Sequence, residues 1–93
     1  MSLQVQWTTQ FKKDYKLAMK RGRNMDELDN TIRLLANETP LPQKNCDHAL
    51  TGNFKGFREC HVEPDWLLIY AVQKNVLTLT LFRTGSHSDL FSK

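Results

Sequence analysis

The stretch FKGFRECHVEPDWLLIYAVQKNVLTLTLF (residues 54–82) decides the fold, because it contains three strand patterns separated by two short turns. The middle pattern, WLLIYAV, is almost entirely apolar and suits a central strand, while VLTLTLF alternates apolar side chains with threonine. Glu63-Pro64-Asp65 places proline where turns favour it, and Gln73-Lys74-Asn75 is polar enough to turn the chain. We therefore predict three consecutive antiparallel strands at residues 54–62, 66–72 and 76–82.

The residues before this stretch predict one more strand and a first helix. LQVQW (residues 3–7) alternates apolar and polar positions over a short span. Thr8 or Thr9 can cap the helix that follows, which ends near Gly22. Its predicted apolar face is made of four side chains, Phe11, Tyr15, Ala18 and Met19.

A second helix is predicted to begin at Asn24, with Glu27 completing an approximate capping box. Leu28, Ile32 and Leu35 form its apolar stripe. The order β-α-α-β-β-β predicts an α+β domain, in which a helical hairpin packs on a mostly antiparallel four-stranded sheet. We expect a single domain over residues 1–93, since this length supplies one modest core.

Residues 37–53 (NETPLPQKNCDHALTGN) interrupt the regular patterns with two prolines and no clear periodicity. A stretch of this length without secondary structure is uncommon in a compact domain unless it is functional or disordered. It contains His48, one of three histidines in the chain.

Composition excludes several classes of protein. Hydrophobic residues make up 40% and charged residues 25% of the chain, which is ordinary for a globular domain, and no apolar run is long enough to span a bilayer. The first ten residues lack the features of a secretory signal, and two cysteines without a CxxC pattern are too few for a disulfide scaffold. We therefore expect a cytoplasmic protein. The net charge of +3 is a weak indication of an anionic partner.

The predicted topology brings candidate chemistry to one edge of the sheet. His61 precedes the turn at Glu63-Pro64-Asp65, and the last strand returns to the same level. Five side chains are thereby expected to converge, namely His61, Asp65, Trp66, Arg83 and His87.

These residue types suit the cleavage of RNA. Histidine transfers protons near neutral pH, and the planar guanidinium of arginine matches a phosphate. Tryptophan and phenylalanine can stack on bases. A second basic feature lies on the first helix, where three lysines recur every four residues and could follow a phosphate backbone. We call Lys12, Lys16 and Lys20 the lysine stripe.

Each of these features also has a purely structural interpretation. Histidines near strand ends are more often surface or hydrogen-bonded residues than catalysts, and the lysine stripe could be an ordinary solvated helix face. Trp66 and Tyr70 could belong to the core, and the sole role of Phe91 could be to pack the end of the chain against the domain. A zinc site of Cys46, His48, Cys60 and His61 is disfavoured, because its spacing matches no usual ligand pattern and adjacent strand residues face opposite ways.

Several motifs resemble the YafQ branch of the RelE/ParE superfamily of bacterial toxins. They are HVEPDW (61–66), FRTGSH (82–87), the terminal LF (90–91), TPLPQ (39–43) and the DHxLxG pattern (47–52). The resemblance also includes the first helix and covers almost the whole chain. It implies a RelE-like microbial RNase fold and a type II toxin that cleaves messenger RNA without a metal or other cofactor, typically in the ribosomal A site. It further implies neutralisation by a cognate antitoxin encoded next to the toxin, with no DNA contact by the toxin alone.

The resemblance also assigns site residues. His48, His61, Asp65 and His87 match the family's catalytic positions, and Arg83 matches a basic position that faces the scissile phosphate. Trp66 and Phe91 match substrate-binding positions. The expected reaction is attack by the 2′-oxygen, giving a 2′,3′-cyclic phosphate, with histidines as acid and base.

Two other functions remain open from the sequence. Some members of the superfamily poison DNA gyrase and do not cut RNA, so the fold alone does not fix the activity. Three histidines converging at one edge argue against that alternative. A non-catalytic domain that binds RNA or a protein partner is the third possibility.

Overall fold

The computed structural model describes residues 2–91; Met1, Ser92 and Lys93, at the ends of the predicted single domain, lie outside the described residues. The helices and strands follow one another in this order: β1 (Gln4–Trp7), α1 (Thr9–Lys20), α2 (Met25–Ala36), β2 (His48–Ala49), β3 (Arg58–Glu63), β4 (Trp66–Gln73), β5 (Thr78–Gly85) and α3 (His87–Phe91). Single 3₁₀ turns occur at Gln43–Asn45, Gly52–Phe54 and Lys74–Val76.

The sheet has five strands in the order β1-β5-β4-β3-β2. The pair β1–β5 is parallel, and the other three pairs are antiparallel. The α+β class and the mostly antiparallel sheet are therefore confirmed, but the strand count of four was wrong. The additional strand, β2, is only two residues long and has an exposed, unpatterned sequence that gives no periodic signal.

Three other details differ from the sequence prediction. Residues 54–57 are not part of β3, because a 3₁₀ turn ends at Phe54 and Gly56 has a φ of 98°. Asn24 precedes α2 without a side-chain capping bond, so the capping box with Glu27 was wrong. The short helix α3 was not predicted.

Helix α1 shows how polar residues enter the core when they have partners. Phe11 and Ala18 are buried as predicted, but Met19 is 53% exposed. Asp14 takes a buried position in this helix, because the guanidinium of Arg83 neutralises it at 3.0 and 3.1 Å.

Beyond the end of β1, Thr8 and α1 supply hydrogen-bond partners for backbone groups of β5 that β1 does not reach. The Thr8 hydroxyl donates to the Phe82 carbonyl at 2.8 Å and accepts the Phe11 N–H at 2.9 Å, which makes Thr8 the helix cap. The Thr84 N–H donates to Asp14 Oδ2 at 3.2 Å. On the side away from β4, the backbone of β5 therefore has partners at Phe82 and Thr84, beyond the last residue of β1.

The main core lies between the helices and one face of the sheet. Its wholly buried members are Phe11, Leu28, Cys60, Trp66, Leu68, Leu79 and Leu81. Alternation along β4 directs Leu67 and Ile69 to the other face, where they are also buried. No helix among the described residues has both the length and the apolar character required to cross a membrane.

Candidate active site

Helix α3 follows β5 directly and carries His87 in its first turn. Ser86 and Asp89 form a reciprocal cap, in which the Ser86 N–H donates to Asp89 Oδ2 at 3.0 Å and the Asp89 N–H donates to Ser86 Oγ at 3.1 Å. Arg21, at the end of α1, donates to the same Asp89 oxygen at 2.7 Å. This hydrogen bond is the main reason why the pKa of Asp89 is lowered to about 2. A five-residue helix is thus held in place by its cap and by α1.

Gly85 is required for this arrangement because there is no space for a side chain between β5 and α3. A Cβ atom at position 85 would lie 2.9 Å from the Cβ of Asp89. Any larger residue would therefore push α3 away from the end of β5, and His87 with it.

The side chain of His87 is fixed by Asp65, from the turn between β3 and β4. His87 Nδ1 lies 2.7 Å from Asp65 Oδ1, and the His87 backbone N–H donates to the same oxygen at 3.1 Å. These two hydrogen bonds lower the pKa of Asp65, and the bond to the His87 side chain has the larger effect. Because the Asp65 carboxylate accepts a hydrogen bond from Nδ1, the Nε2 atom of His87 is left for a substrate.

His61 stands next to His87, as the topology predicted. The centroids of the two imidazole rings are 5.8 Å apart, and the rings meet edge to face. His61 Nδ1 lies 3.2 Å from the Pro64 carbonyl oxygen, so the turn that supplies Asp65 also orients His61.

His48 joins the same group through β2. The register pairs His48 with Glu59 across the strands, and His48 Nε2 lies 3.3 Å from Glu59 Oε1. The same carboxylate oxygen lies 3.9 Å from His61 Nε2. Glu59 was not predicted from the sequence. The only signal for it is that Glu59 and His61 alternate onto one face of β3.

Asp47 fixes the segment that leads into β2. Its Oδ1 accepts a hydrogen bond from the buried Tyr70 hydroxyl and another from Arg58 Nε at 3.3 Å. Burial, followed by the bond to Asp47, raises the pKa of Tyr70. His48 is therefore attached to the sheet on both sides, through Asp47 in the chain and through Glu59 across it.

Trp66 does not have the predicted role. It is wholly buried in the core, so in this structure it cannot stack on a base, and the sequence prediction of substrate binding by Trp66 was wrong. The Arg23 guanidinium carbon lies 5.2 Å from the centre of its ring, in the geometry of a cation–π contact. Its indole nitrogen has no hydrogen-bond partner within the described part of the chain.

Arg83 lies at the expected edge of the sheet, but Asp14 binds it through Nε and Nη2. A contact of Arg83 with the scissile phosphate stays a prediction. Phe91 is one helical turn after His87, and its ring meets Phe54 edge to face at 5.6 Å. Its structural role in holding the end of the chain is therefore visible, while a contact with RNA stays a prediction.

The lysine stripe is exposed along α1, and none of its three members forms an ion pair within residues 2–91. Cys60 and His61 face opposite sides of β3, since Cys60 is wholly buried in the core and His61 is partly exposed. Burial raises the pKa of the Cys60 thiol. Neither cysteine forms a disulfide.

A cleft of about 510 Å³ opens beside His61. Its lining combines backbone turns with polar side chains: Asn24, Glu27, Lys44, Cys46, His61, Val62, Glu63 and Pro64. A space of this size is in the range of small-ligand sites. It gives a substrate room next to His61.

Comparisons with known proteins identify the family and the fold. A family described as the bacterial toxin of type II toxin–antitoxin systems, YafQ, matches residues 3–92. The mRNA interferase toxin YafQ of Escherichia coli K12 is 46% identical over 88 residues, which cover 94% of each chain. The crystal structure of YafQ from E. coli BL21(DE3) has a TM-score of 0.90 at 43% identity and covers 96% of this chain and 98% of its own. YafQ in the E. coli DinJ–YafQ toxin–antitoxin complex has a TM-score of 0.89 at 42% identity, with 98% of this chain and 99% of that one covered. This chain therefore belongs to the YafQ family of bacterial toxins of type II toxin–antitoxin systems.

Proposed function

We propose that this chain is an endoribonuclease that cleaves messenger RNA on the ribosome, and the toxin of a type II toxin–antitoxin pair. The observation that carries the proposal is the placement of His87 and His61 side by side, each oriented through Nδ1 by an acceptor on the same turn. Two oriented imidazoles side by side can supply both proton transfers of RNA cleavage. The relative named mRNA interferase supports the same reaction.

His87 is the better general acid of the two. Asp65 is a carboxylate whose pKa is lowered by its bonds to His87, and its contact with Nδ1 fixes the ring and leaves Nε2 to give a proton. The Nε2 proton of His87 then goes to the 5′-oxygen as the bond from this oxygen to phosphorus breaks. Asp65 acts here as a positioning residue, because it reaches the reaction only through His87.

His61 or His48 then takes the proton of the attacking 2′-hydroxyl. As the 2′-oxygen bonds to phosphorus, the product is a 2′,3′-cyclic phosphate and a free 5′-hydroxyl. Both proton transfers use imidazoles, so this scheme needs no metal ion, and cleavage is expected to persist in EDTA. Arg83 is the candidate to balance the charge that develops on the phosphoryl oxygens.

The partners follow from the same proposal. The lysine stripe presents positive charge for RNA, including ribosomal RNA, and translation places the reaction in the cytoplasm. The DinJ–YafQ complex supports a cognate antitoxin protein as the inhibitor of this chain. We do not favour the gyrase alternative, since a protein that only binds gyrase needs no set of oriented histidines.

The experiment is cleavage of a ribosome-bound message by the purified chain, with cut sites located by primer extension. His87→Ala is expected to lower the cleavage rate by about 10²- to 10⁴-fold. Ser88→Ala is the matched control, because Ser88 is exposed on the same helix and makes no side-chain hydrogen bond within the described residues. Full cleavage by a folded His87→Ala variant would contradict the mechanism, and absence of cleavage by the unmodified chain would contradict the function.

A further inference from the structure

A second cavity, of about 230 Å³, lies between α1, the end of β5 and α3. Its lining includes Gly85 and Asp89, each two residues from His87 in the chain, so the cavity adjoins the segment that carries His87. A space of this size is smaller than the usual site for a whole ligand, but it has room for a single group such as a phosphate.

The charged side chains of this cavity leave one positive charge uncompensated. The lining contains three arginines and two aspartates. Asp89 binds Arg21 at 2.7 Å. Asp14 binds Arg83 at 3.0 Å. Arg23 forms no ion pair within the part of the chain that the structure describes, so its charge is the one available to an anion.

The end of α1 fixes the position of Arg23. The Arg23 N–H donates to the Ala18 carbonyl and the Gly22 N–H donates to the Met19 carbonyl, both at 3.1 Å, which are the two hydrogen bonds of a Schellman motif. The partly exposed side chain of Arg23 then places its guanidinium carbon 5.2 Å from the centre of the Trp66 ring. This cation–π contact restricts the guanidinium but supplies no negative charge to it.

Arg23 also lies beside the residues that hold the proposed general acid. Trp66, which the guanidinium covers, follows Asp65 in the chain, and Asp65 binds His87. The bonds from His87 are the main cause of the lowered pKa of Asp65, and the positive charge of Arg23 adds a smaller contribution. The free charge of the cavity is therefore close to the site of proton transfer.

The two spaces beside the histidines give the RNA a direction. The cleft next to His61 includes Asn24 in its lining, this cavity includes the preceding residue Arg23, and the two linings have no described residue in common. In the proposed reaction, His87 protonates the 5′-oxygen of the leaving nucleotide. The leaving nucleotide is therefore on the side of His87, where the next phosphate along the chain can reach the cavity.

We propose that Arg23 binds the phosphate group that follows the leaving nucleotide, in the cavity between α1 and α3. This inference rests on the proposed function, which defines the leaving nucleotide. The guanidinium of arginine matches a phosphate through two parallel N–H donors. An RNA phosphate is favoured over a carboxylate of a protein partner, because the free charge adjoins the segment that carries His87. The RNA then runs from the cleft at His61, on its 5′ side, to Arg23 on its 3′ side.

The experiment removes the charge from each side of this contact in turn. Arg23→Gln changes the protein, and an uncharged methylphosphonate replaces the phosphate that follows the leaving nucleotide in a short synthetic message on the ribosome. Single-turnover cleavage gives the protein concentration at half-saturation and the rate constant at saturation. Each single change is expected to raise the half-saturating concentration about 10-fold, the effect of one charged hydrogen-bonded contact, and to leave the rate constant nearly unchanged.

The combination of both changes distinguishes binding from a structural role. Together they are also expected to raise the half-saturating concentration about 10-fold, because they remove the same contact. If Arg23 only packs on Trp66, the two losses multiply to about 100-fold, which would overturn the inference. Arg33→Gln is the matched control, since it removes the same charge from an exposed position in the last turn of α2 and is expected to have little effect.

A further measurement needs no variant and covers the case in which Arg23→Gln does not fold. With the unmodified chain, the methylphosphonate is moved along the message, and the largest loss is expected at the phosphate that follows the leaving nucleotide. Equal losses at all phosphates beyond the cut would overturn the inference.

The remaining outcomes separate the inference from the proposed function. An unchanged half-saturating concentration for Arg23→Gln would overturn the inference and leave the function intact. Weaker binding of the cognate antitoxin by the same variant would then assign the free charge to a carboxylate of that protein. Absence of cleavage by the unmodified chain would contradict the function, and the inference with it.

Discussion

Removal of the Asp89 carboxylate is expected to release α3 without unfolding the rest of the domain. Asp89→Ala abolishes the cap hydrogen bond from the Ser86 N–H to Asp89 Oδ2 and the ion pair with Arg21, while the bond from the backbone N–H of residue 89 to Ser86 Oγ can persist. Loss of a helix cap typically costs about 0.5–2 kcal/mol. The ion pair adds less than its short distance suggests, because 46% of the Arg21 side chain is exposed. We therefore expect the docking of α3 to weaken by about 1–2 kcal/mol.

The assay is hydrogen exchange of the Leu90 amide, which donates to the Ser86 carbonyl at 3.1 Å within α3. A loss of about 1–2 kcal/mol predicts exchange that is roughly 5- to 30-fold faster. Amides of β4 and β5 are expected to exchange at their former rate, since their pairing is untouched. Cleavage of RNA is expected to fall with the docked fraction of α3, because His87 is part of this helix. Ser88→Ala serves again as the control.

The same carboxylate makes the docking depend on pH in a defined direction. The pKa of Asp89 is about 2 in the folded chain and near its ordinary value of 3.8 when α3 is released. A lowered pKa stabilises the docked state above the ordinary value, and this stabilisation is lost as the pH falls from about 4 to about 2. The reasoning would be refuted if Leu90 exchanged at the same rate in Asp89→Ala, or if β4 and β5 lost as much protection as α3.

Two further perturbations test other parts of the structure. Tyr70→Phe removes the hydroxyl that donates to Asp47 and is expected to lower the free energy of unfolding by about 2 kcal/mol in urea denaturation; a change below about 0.5 kcal/mol would show that this bond contributes little. Charge reversal of the lysine stripe is expected to weaken RNA binding and to reduce the slope of log K against log salt by about 2, for three lost phosphate contacts. An unchanged slope would make the stripe an ordinary solvated helix face.

Local pattern was sufficient to predict most of the fold. The apolar run of β4, the alternation of β5 and the helix periods all report on nearest neighbours in the sequence. The end of α1 near Gly22 was also predictable from local sequence, since Gly22 has a φ of 75° and follows the last residues of the helix. The placement of His61, Asp65 and His87 at one edge then followed from strand direction alone.

The remaining features depend on contacts between distant parts of the chain. Asp14 is buried in α1 only because Arg83 meets it, 69 residues later in the sequence. Strand β2 exists only because β3 offers it a partner, so neither β2 nor the contact between His48 and Glu59 has a local signal. Trp66 was predicted to bind RNA because aromatic side chains both stack on bases and pack in protein cores, and sequence alone does not distinguish the two roles.

The parallel pairing of β1 with β5 has a consequence for how the protein is made. The first strand of the chain finds its partner in the last strand, and α3 with His87 comes after that partner. A chain that emerges from its N-terminus therefore carries β1 and both long helices without the strand that joins them to the sheet. The histidine centre assembles only after β5 and α3 have been synthesised, so the nascent protein lacks nuclease activity until that point of its own translation.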